Sequence, residues 1–520
     1  MWEITVLILY SVSVFFIILF SIGQLSLLVL FFRNRGKSHQ PLTPSKLPLI
    51  TVQLPIYNER YVIGRLLKAV AMLDYPKEKM EIQILDDSTD ETSDICQREA
   101  DKLSKQGFDV KYLHRHSRKG YKAGALQQGL LRSSGEFLVI FDADFIPSPD
   151  FLIKTLPYFT NKKTGLVQTR WGHINASQSW LTRVQELGLN GHFIIDQQGR
   201  DKSGLFINFN GTAGIWRKTC IVDAGGWQFD TLTEDLDLSY RAQMRGWKLN
   251  YCPDIITPAE LPFLLNSVRT QQFRWIKGGI ETSKKILGNL WKCNLSLPVK
   301  LFGSFHLLSN YVYVFILLSS ILSVPAMFIK NSSPQFDLYF KLNSLFFSVF
   351  IINFLYCFVT VWVEKKTMGE SIKEMASVFP MAILISLGMS YHNSTAIFQG
   401  VVGKKTSFVR TPKFKAGTED RITTSSSYNL EKNIFRELPE ILLFMYFSFA
   451  VAAGVHFGDI GFLPYHLIML SGFGVILYYA FQESRFQLTG RLTKNSDRSK
   501  SIAVELYSAK KGNTRLRERL

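Results

Sequence analysis

Two pairs of acidic residues stand where the chain could bind a cation. Asp86 and Asp87 directly follow one candidate β-strand, and Asp142 and Asp144 directly follow another. Because an open parallel sheet binds ligands beyond the carboxyl ends of its strands, both pairs are expected near one edge. Residues i and i+2 of an extended segment point the same way, so Asp142 and Asp144 are predicted to hold one hard divalent cation. The alternative is that these residues only end strands and cap helices.

A strongly basic run lies between the two acidic pairs. It covers residues 114–122, opens a predicted helix and ends at Lys122. A diphosphate bound to a metal ion needs further positive charge, and a helix N-terminus also favours anions. Lys122 is therefore predicted to reach a phosphate group. The alternative is a solvated basic loop.

A third acidic motif, Thr233-Glu234-Asp235, follows a glycine-rich stretch and begins a helical pattern. Thr233 resembles a helix cap, and acidic residues favour the first turn of any helix. The functional interpretation is a general base, which must lie within hydrogen-bond reach of an acceptor hydroxyl. If Glu234 and Asp235 begin the same helix, their side chains diverge by roughly 100°, so one of them is expected to face the substrate.

The segment Gln271-Gln272-Phe273-Arg274-Trp275 is amphipathic and lies just before an apolar stretch. Arg274 could bind phosphate through two hydrogen bonds. Trp275 offers a flat apolar face on which a sugar ring could lie. The alternative is a basic and aromatic helix at a membrane surface.

The elements that must position these residues follow an alternating pattern from about residue 41 to residue 300. Short β-rich runs alternate with helical patterns, which is typical of a doubly wound, mostly parallel α/β domain. The candidate strands are Leu49–Leu54, Glu81–Leu85, Val110–Leu113, Phe137–Phe141 and Leu166–Thr169. The candidate helices include Glu59–Leu73, Asp90–Leu103 and Lys122–Arg132. Such folds serve many functions, so the pattern predicts fold class and not activity.

Apolar segments flank this domain, and each approaches or exceeds the roughly 20 residues that cross a bilayer. They are Ile4–Phe32, Leu301–Phe328, Leu342–Val363, Leu438–Val455 and Phe462–Phe481. Arg33, Arg35 and Lys37 follow the first segment. The positive-inside rule therefore predicts a retained transmembrane helix, an N-terminus outside and the α/β domain in the cytoplasm.

A sixth apolar run, Met375–Tyr391, contains Pro380 and several small residues. If it crossed the membrane, the basic tail after residue 481 would lie outside, against the positive-inside rule. We therefore predict about five spans, with Met375–Tyr391 as an interfacial or re-entrant helix.

The composition excludes some functions. The formal net charge is +18, from 60 Lys and Arg against 42 Asp and Glu. This surplus suits an anionic membrane surface or substrate, and nucleic acid is not expected because no nucleic-acid-binding signature appears. The five cysteines have no metal-ligand spacing, which favours reduced thiols.

The four motifs together resemble the family 2 glycosyltransferases, most closely their processive, cellulose-synthase-like branch. That family has the pattern D, DxD, TED and Q(Q/R)xRW, which here is Asp86-Asp87, Asp142-Ala143-Asp144, Thr233-Glu234-Asp235 and Gln271–Trp275. Phe209–Arg217 and Val167–Trp171 look like segments of bacterial cellulose-synthase-like and plant mannan-synthase-like proteins. The resemblance extends to about Phe481.

A loop after the sixth apolar run adds to the resemblance. Residues 408–413 resemble the gating loop FxVTxK of cellulose synthases, with Arg410 in place of Val and a proline before Lys413. The loop residues matched are Phe408, Thr411 and Lys413.

The resemblance implies a GT-A fold and a metal-dependent, inverting transfer from a UDP- or GDP-sugar. The residues that would bind the nucleotide sugar are Asp86, Asp87, Lys122, Asp142, Gln271 and Arg274. Asp142 and Asp144 would also hold Mg²⁺ or Mn²⁺. Asp235 would be the catalytic base. Trp275 and Glu234 would contact the acceptor, and Gln271 would also line that end.

The predicted product is a β-linked polysaccharide, a β-1,4-glucan or mannan, made by a multi-pass protein of the plasma or inner membrane. The sequence does not identify any protein partner in the cell envelope. One alternative is a transferase that makes a glycolipid on a ceramide or polyprenyl acceptor. Another is a transporter or non-catalytic scaffold, which is disfavoured because ionisable residues do not recur within the spans. Regulation by a cyclic dinucleotide is not expected, because the short tail lacks room for the β-barrel domain of regulated members.

The predicted organisation divides the chain into seven parts. They are residues 1–40 (transmembrane helix and basic flank), 41–260 (glycosyltransferase domain), 261–300 (interfacial segment with the QQFRW motif), 301–364 (transmembrane pair), 365–437 (interfacial helix and gating-like loop), 438–482 (transmembrane pair) and 483–520 (basic cytoplasmic tail).

Overall fold

The computed structural model describes residues 1–36, 46–343, 346–411, 413 and 436–484. Its centre is a seven-stranded sheet in the order β3-β2-β1-β4-β6-β5-β7. The strands are β1 Ile50–Ile56, β2 Met80–Asp86, β3 Asp109–His114, β4 Phe137–Ile140, β5 Thr164–His173, β6 Gly214–Arg217 and β7 Lys248–Ala259. β6 runs antiparallel to β4 and β5, and the other pairs are parallel. The predicted mostly parallel α/β sheet is confirmed.

Side-chain alternation along the central strands creates two cores, one on each face of the sheet. In β4, Phe137 and Val139 join the core of helices α2 Ile63–Ala71 and α3 Thr92–Lys105. Leu138 and Ile140 join the opposite core. That core includes residues of α4 Tyr121–Arg132 and α9 Glu234–Met244. Burial on both faces explains why the strand is continuously apolar.

Smaller helices connect the strands of this domain. They are α5 Phe151–Thr155, α6 Trp180–Gly191, a π-helical turn His192–Gln197, α7 Gln198–Lys202 and α8 Lys218–Asp223. The predicted helix from Glu59 instead begins at Ile63, because residues 57–61 form the turn that leaves β1. This turn lies beside the carboxyl ends of β2 and β4, and it brings Glu59 to the edge of the sheet that carries the predicted site.

In the described part of the chain, ten further helices, most of them long, lie outside the sheet domain. They are α1 Trp2–Arg33, α10 Leu265–Lys292, α11 Leu297–Leu308, α12 Val312–Ser332, α13 Asp337–Asn343, α14 Phe347–Lys365, α15 Met368–Gly388, α16 Ser390–Val402, α17 Leu438–Phe457 and α18 Leu463–Ser484. Among the described residues, six helical segments are long and apolar enough to cross a membrane. Five coincide with the predicted spans, and the sixth is α15, which contains most of the run predicted to be interfacial.

Polar contacts tie the ends of several long helices to the α/β domain. Asn34, after α1, donates to Ser203 Oγ at 2.9 Å. Glu364, near the end of α14, forms an ion pair with Arg170 at 3.0 Å. Glu483, in the last turn of α18, accepts hydrogen bonds from the first residues of α10. The domain and the apolar helices are therefore joined through buried and half-buried polar side chains. The predicted basic tail lies outside the described residues.

Candidate active site

One pocket at the carboxyl ends of β1, β2 and β4 gathers nearly all the predicted site residues. It contains about 1220 Å³ of space, counting its open mouth. The predicted residues that line it are Asp87, Lys122, Asp142, Asp144, Glu234, Asp235, Gln271, Arg274, Trp275, Phe408, Thr411 and Lys413. Four motifs that are far apart in the sequence, and the loop of residues 408–413, therefore meet at one place.

The first acidic pair divides into two different environments. Asp86 is fully buried and accepts hydrogen bonds from Tyr112 Oη at 2.8 Å and His114 Nδ1 at 2.9 Å, and it does not line the pocket. Burial acts to raise the pKa of Asp86, but hydrogen bonds from Ser88 and His114 outweigh it and lower the pKa. Asp87 lines the pocket, and its two carboxylate oxygens accept hydrogen bonds from Nε and Nη2 of Arg115. Asp87 is thus the member of the pair that can touch a ligand in the pocket.

Asp142 and Asp144 lie on a turn after β4, and the expectation of an extended segment there is wrong. Asp142 Oδ1 accepts a hydrogen bond from Lys122 Nζ at 2.5 Å. Asp144 Oδ2 accepts one from Lys413 Nζ at 2.8 Å and lies 3.2 Å from the backbone nitrogen of Glu260. Among the described residues, no group of three or more His, Cys, Asp or Glu side chains forms a metal site. Each carboxylate is instead paired with a lysine.

Glu234 and Asp235 begin α9, and both line the pocket. The side chains of neighbouring helical residues diverge by roughly 100°, but both carboxylates still face the pocket. Burial, with the charge of Glu234, raises the pKa of Asp235 to about 7. Burial also raises the pKa of Glu234, opposed by the positive charge of Lys122. Asp235 Oδ1 accepts a hydrogen bond from the Leu236 backbone at 2.8 Å, which fixes one side of the carboxylate.

Helix α10 supplies the opposite wall of the pocket. Gln271, Arg274 and Trp275 share its face toward the pocket because they lie three and four residues apart. The Arg274 guanidinium lies 4.5 Å from the centre of the Phe408 ring. Burial lowers the pKa of Arg274, and the nearby charges of Glu234 and Asp142 act against this. The motif therefore combines one cation with one large aromatic surface.

The segment 403–411 and Lys413 reach across the pocket to the turn after β1. Arg410 forms an ion pair with Glu59 and donates to the carbonyl of Asn58 at 2.7 Å. Burial raises the pKa of Glu59 to about 8 although Arg410 opposes this. Phe408 stacks on Tyr121 with ring centres 5.6 Å apart. The arginine that departs from the gating-loop pattern thus makes a buried contact with the domain.

Comparison with known proteins identifies the family. Residues 48–278 match the family described as "Glycosyltransferase like family 2", and residues 215–456 match "Cellulose synthase". Probable glucomannan 4-beta-mannosyltransferase 3 of Oryza sativa subsp. japonica is 34% identical over 448 residues, which cover 82% of this chain and 77% of that protein. The chain belongs to the cellulose-synthase-like family 2 glycosyltransferases.

A second relative of this glycosyltransferase is glucomannan 4-beta-mannosyltransferase 7 of Arabidopsis thaliana. It is 40% identical over 272 residues, which cover 51% of the chain and 48% of the relative, so this match spans about half of the relative's length. Among solved structures, the mannosyltransferase PcManGT from Pyrobaculum calidifontis, in complex with GDP-Man and Mn²⁺, has a TM-score of 0.53 at 17% identity. The match covers 76% of this chain and all of that one, and it shows a shared fold.

Sequence reasoning gave no site role to several polar residues that line the pocket of this glycosyltransferase, among them Tyr57, Glu59, Arg118 and Asn210. Arg118 belongs to the basic run noted in the sequence, and its guanidinium lies 3.2 Å from the centre of the Tyr57 ring. Asn210 belongs to a segment that resembles those of mannan-synthase-like proteins. The sequence offers one indication for Glu59, which is its position just after β1. That position points to the site only when the strand order shows that β1 is a central strand.

Proposed function

We propose that this glycosyltransferase transfers a hexose from a nucleoside-diphosphate sugar to a growing β-linked polysaccharide at the cytoplasmic face of a membrane. The observation that carries the proposal is the composition of the pocket described above. One part holds paired carboxylates and cations, Asp235 lines the same pocket, and Trp275 supplies an aromatic wall. The charged part suits a sugar diphosphate, and the aromatic wall suits the apolar face of a sugar ring.

The names of the relatives support a β-1,4-mannan or related glucan as the product. The curated relatives from rice and Arabidopsis are glucomannan 4-beta-mannosyltransferases. A mannosyl donor is therefore the first candidate, and a glucosyl donor is the second. The donor nucleotide would contact Asp87 and the basic residues Lys122 and Arg274.

A divalent cation fits the donor end of the pocket. Asp142 and Asp144 offer carboxylate oxygens from one turn, and such oxygens suit Mg²⁺ or Mn²⁺. These two residues would hold the ion, with Lys122 and Lys413 moving from the oxygens that they now occupy. When bound, the cation would stabilise negative charge on the departing diphosphate.

The proposed reaction is a single displacement with inversion. Asp235 takes the proton from an acceptor hydroxyl, whose oxygen then forms a bond to the anomeric carbon of the donor sugar. The bond from that carbon to the diphosphate oxygen breaks, and the nucleoside diphosphate leaves with the electron pair. Lys122 and Arg274 neutralise the charge that develops on the leaving group. A carboxylate with a pKa near 7 is a suitable base because it is both available and able to accept the proton.

We further propose that five helical segments cross the membrane and that α15 does not. Near its start, Glu374 forms an ion pair at 2.7 Å with Arg183 of α6. Near its end, Ile385 packs in one cluster with Leu181 of α6 and Leu265 of α10. Both ends therefore contact elements on the domain side. After α16, Lys413 contacts Asp144, which a loop on the far side of a bilayer could not do.

Product analysis tests the proposed function. The full chain, purified into lipid nanodiscs, is given radiolabelled GDP-mannose or UDP-glucose with Mg²⁺ or Mn²⁺. We expect label in a long water-phase product that an endo-acting β-mannanase or β-glucanase shortens. Excess chelator should abolish incorporation, and re-added metal should restore it. Asp235→Asn in the same nanodiscs is the matched inactive control.

Two outcomes would contradict the proposal. Label that enters only an organic-soluble product would identify a glycolipid-forming transferase. Binding of neither nucleotide sugar, together with no incorporation, would indicate a non-catalytic protein. Full incorporation in excess chelator would contradict the metal dependence but not the proposed transfer of a hexose.

A further inference from the structure

A π-helical turn, His192–Gln197, lies between α6 and α7. Such turns carry one residue more than an α-helical turn and are frequent at functional sites. Here the turn presents two side chains to one residue of the pocket. His192 Nε2 lies 2.9 Å from Asn210 Nδ2, and Gln197 Nε2 donates to Asn210 Oδ1 at 2.8 Å. The amide of Asn210 is therefore held from both sides.

The orientation of the Asn210 amide follows from its partners. The Gln197 amide nitrogen also donates to the carbonyl of Asn208 at 2.7 Å, so Gln197 is the donor toward Asn210. Asn210 Oδ1 is then the acceptor, and Nδ2 donates to His192 Nε2. In this hydrogen-bond pattern, His192 Nε2 is the acceptor and the ring proton lies on Nδ1.

The far side of the His192 ring is supported from a membrane helix. His192 Nδ1 lies 3.9 Å from Asp196 Oδ2, and Asp196 Oδ1 accepts a hydrogen bond from Tyr356 of α14 at 2.9 Å. The carboxylate of Asp196 favours a proton on Nδ1 of His192, which leaves Nε2 as the acceptor. The same amide orientation is thus favoured by the turn and by α14.

Asn210 is also close to the proposed base. It lines the same pocket as Asp235 and Trp275. At its neighbour Gly211, where φ is +84°, an added side-chain carbon would lie only 3.0 Å from Asp235 Oδ2. A side-chain amide has two N–H groups, and within the described chain His192 accepts one of them. The second is available to a ligand.

We propose that the second N–H of Asn210 donates a hydrogen bond to a hydroxyl oxygen of the acceptor sugar beside Asp235, and that His192 and Gln197 are positioning residues for it. This inference rests on the proposed function and names a residue that selects the acceptor. The N–H donor at this point recognises one acceptor hydroxyl through a lone pair on its oxygen. Asp235 removes the proton from a different hydroxyl, the one that attacks the donor sugar. It therefore favours a saccharide with neighbouring hydroxyls over an acceptor with one isolated hydroxyl.

The test separates acceptor binding from donor chemistry. Full-length variants in nanodiscs are assayed for transfer to short β-linked oligosaccharides of increasing concentration, for donor hydrolysis by water, and for nucleotide binding. Asn210→Ala should raise the KM for the oligosaccharide roughly tenfold, the upper range for one neutral hydrogen bond. Donor hydrolysis and nucleotide binding should stay within about twofold, because they do not use this N–H.

Further variants keep the test decisive. Asn210→Ser retains one O–H donor and should recover part of the lost affinity. His192→Phe keeps a ring but removes the acceptor, and it should raise the same KM by a smaller factor while leaving donor hydrolysis unchanged. Asn250→Ala, which removes a half-buried amide of β7 outside the pocket, is the matched control and should behave like the wild type.

An unchanged KM for the oligosaccharide in Asn210→Ala would overturn the inference, and so would a raised KM for the donor alone. Equal loss of transfer and hydrolysis in both Asn210→Ala and Asn210→Ser would do the same, because it would indicate a structural role. Failure of the proposed function is distinguishable, because the wild type itself would then transfer no hexose to any oligosaccharide.

Discussion

At the residue scale, adjacent carboxylates compete for the role of base. Glu234 and Asp235 both line the pocket, and burial raises the pKa of each. Lys122 is the chief positive charge that lowers the pKa of Glu234, whereas the charge of Glu234 raises the pKa of Asp235. Glu234 therefore stays the better counter-ion for the cations, and Asp235 is the better proton acceptor.

Replacing each carboxylate by its amide should separate these roles. Asp235→Asn keeps the shape but cannot accept a proton, so we expect polymer formation to fall by about 10²–10⁴-fold with nucleotide binding unchanged. Glu234→Gln should retain more activity. Both are measured in matched nanodiscs by product formation and nucleotide titration. An active Asp235→Asn would refute the assignment, and lost nucleotide binding would make Asp235 a donor contact.

The raised pKa of Asp235 also predicts a pH dependence. A carboxyl whose pKa rises from 3.8 to about 7 is protonated, and inactive as a base, at lower pH. The rate of transfer should therefore increase about tenfold per pH unit below 7 and level off above it. Initial rates at saturating donor from about pH 5 to 9 measure this, with nucleotide binding over the same range as the control. A rate independent of pH below 7 would contradict the base assignment.

At the element scale, a buried ion cluster fastens α10, which carries Gln271, Arg274 and Trp275, to α17. The Arg269 side chain is only 2% exposed, and its guanidinium contacts Glu437 at 2.7 Å and Glu440 at 3.0 Å. Arg269 precedes Gln271 by two residues, so this contact fixes the helix that forms one wall of the pocket. Loss of the arginine would leave two acidic groups close together without their cation.

Arg269→Ala should destabilise the protein by about 3–5 kcal/mol, because it removes the cation that pairs with the buried carboxylate of Glu440 and the half-buried one of Glu437. Thermal unfolding in detergent, followed by light scattering or intrinsic fluorescence, would show a lower melting temperature than the wild type. Arg245→Ala is the matched control, since Arg245 pairs with Asp223 on the exposed surface and should leave the melting temperature unchanged. Equal melting temperatures for both variants would show that the buried cluster contributes little.

At the scale of the whole molecule, the pocket needs elements from both the α/β domain and the chain that follows the membrane helices. Lys413 reaches Asp144, and Arg410 reaches Glu59, although more than 250 residues separate the members of each pair. Three described helical segments that are long and apolar enough to cross a membrane lie between the domain and this loop, and an even number of them must cross for the chain to return to the side from which it left. Five crossings with α15 along the domain side satisfy this requirement.

Cysteine labelling tests this topology. After Cys293 and Cys357 are replaced by serine, single cysteines at Lys105, Lys405 and Ser332 are treated with a membrane-impermeant maleimide in sealed vesicles. Lys105 and Lys405 should label from the same side and Ser332 from the opposite side, because the contacts of α15 keep it on the domain side. Labelling of Lys405 together with Ser332 would show that α15 crosses. Permeabilised vesicles, in which all three label, are the control.

The sequence by itself determined the features that depend on residue type and local order. Short β-rich runs predicted five of the seven described strands, and apolar length predicted the helices that could cross a membrane. Four motifs predicted the family and eight of the twelve predicted residues that line the pocket, the basic run added Lys122, and the loop of residues 408–413 added the other three. These features can be predicted because burial and catalysis each require particular side-chain types. The types and spacing of residues near one another in the chain are enough to reveal such a pattern.

Only the tertiary structure decided which of these residues work together. It separated Asp87 in the pocket from Asp86 beneath it, and it brought Lys413 to Asp144 and the π-helical turn to Asn210. It also inserted β6 antiparallel between β4 and β5. Each of these depends on contacts between segments that are distant in the chain. Such contacts are set by how the sheet and helices pack, and no local pattern of residues encodes the partner.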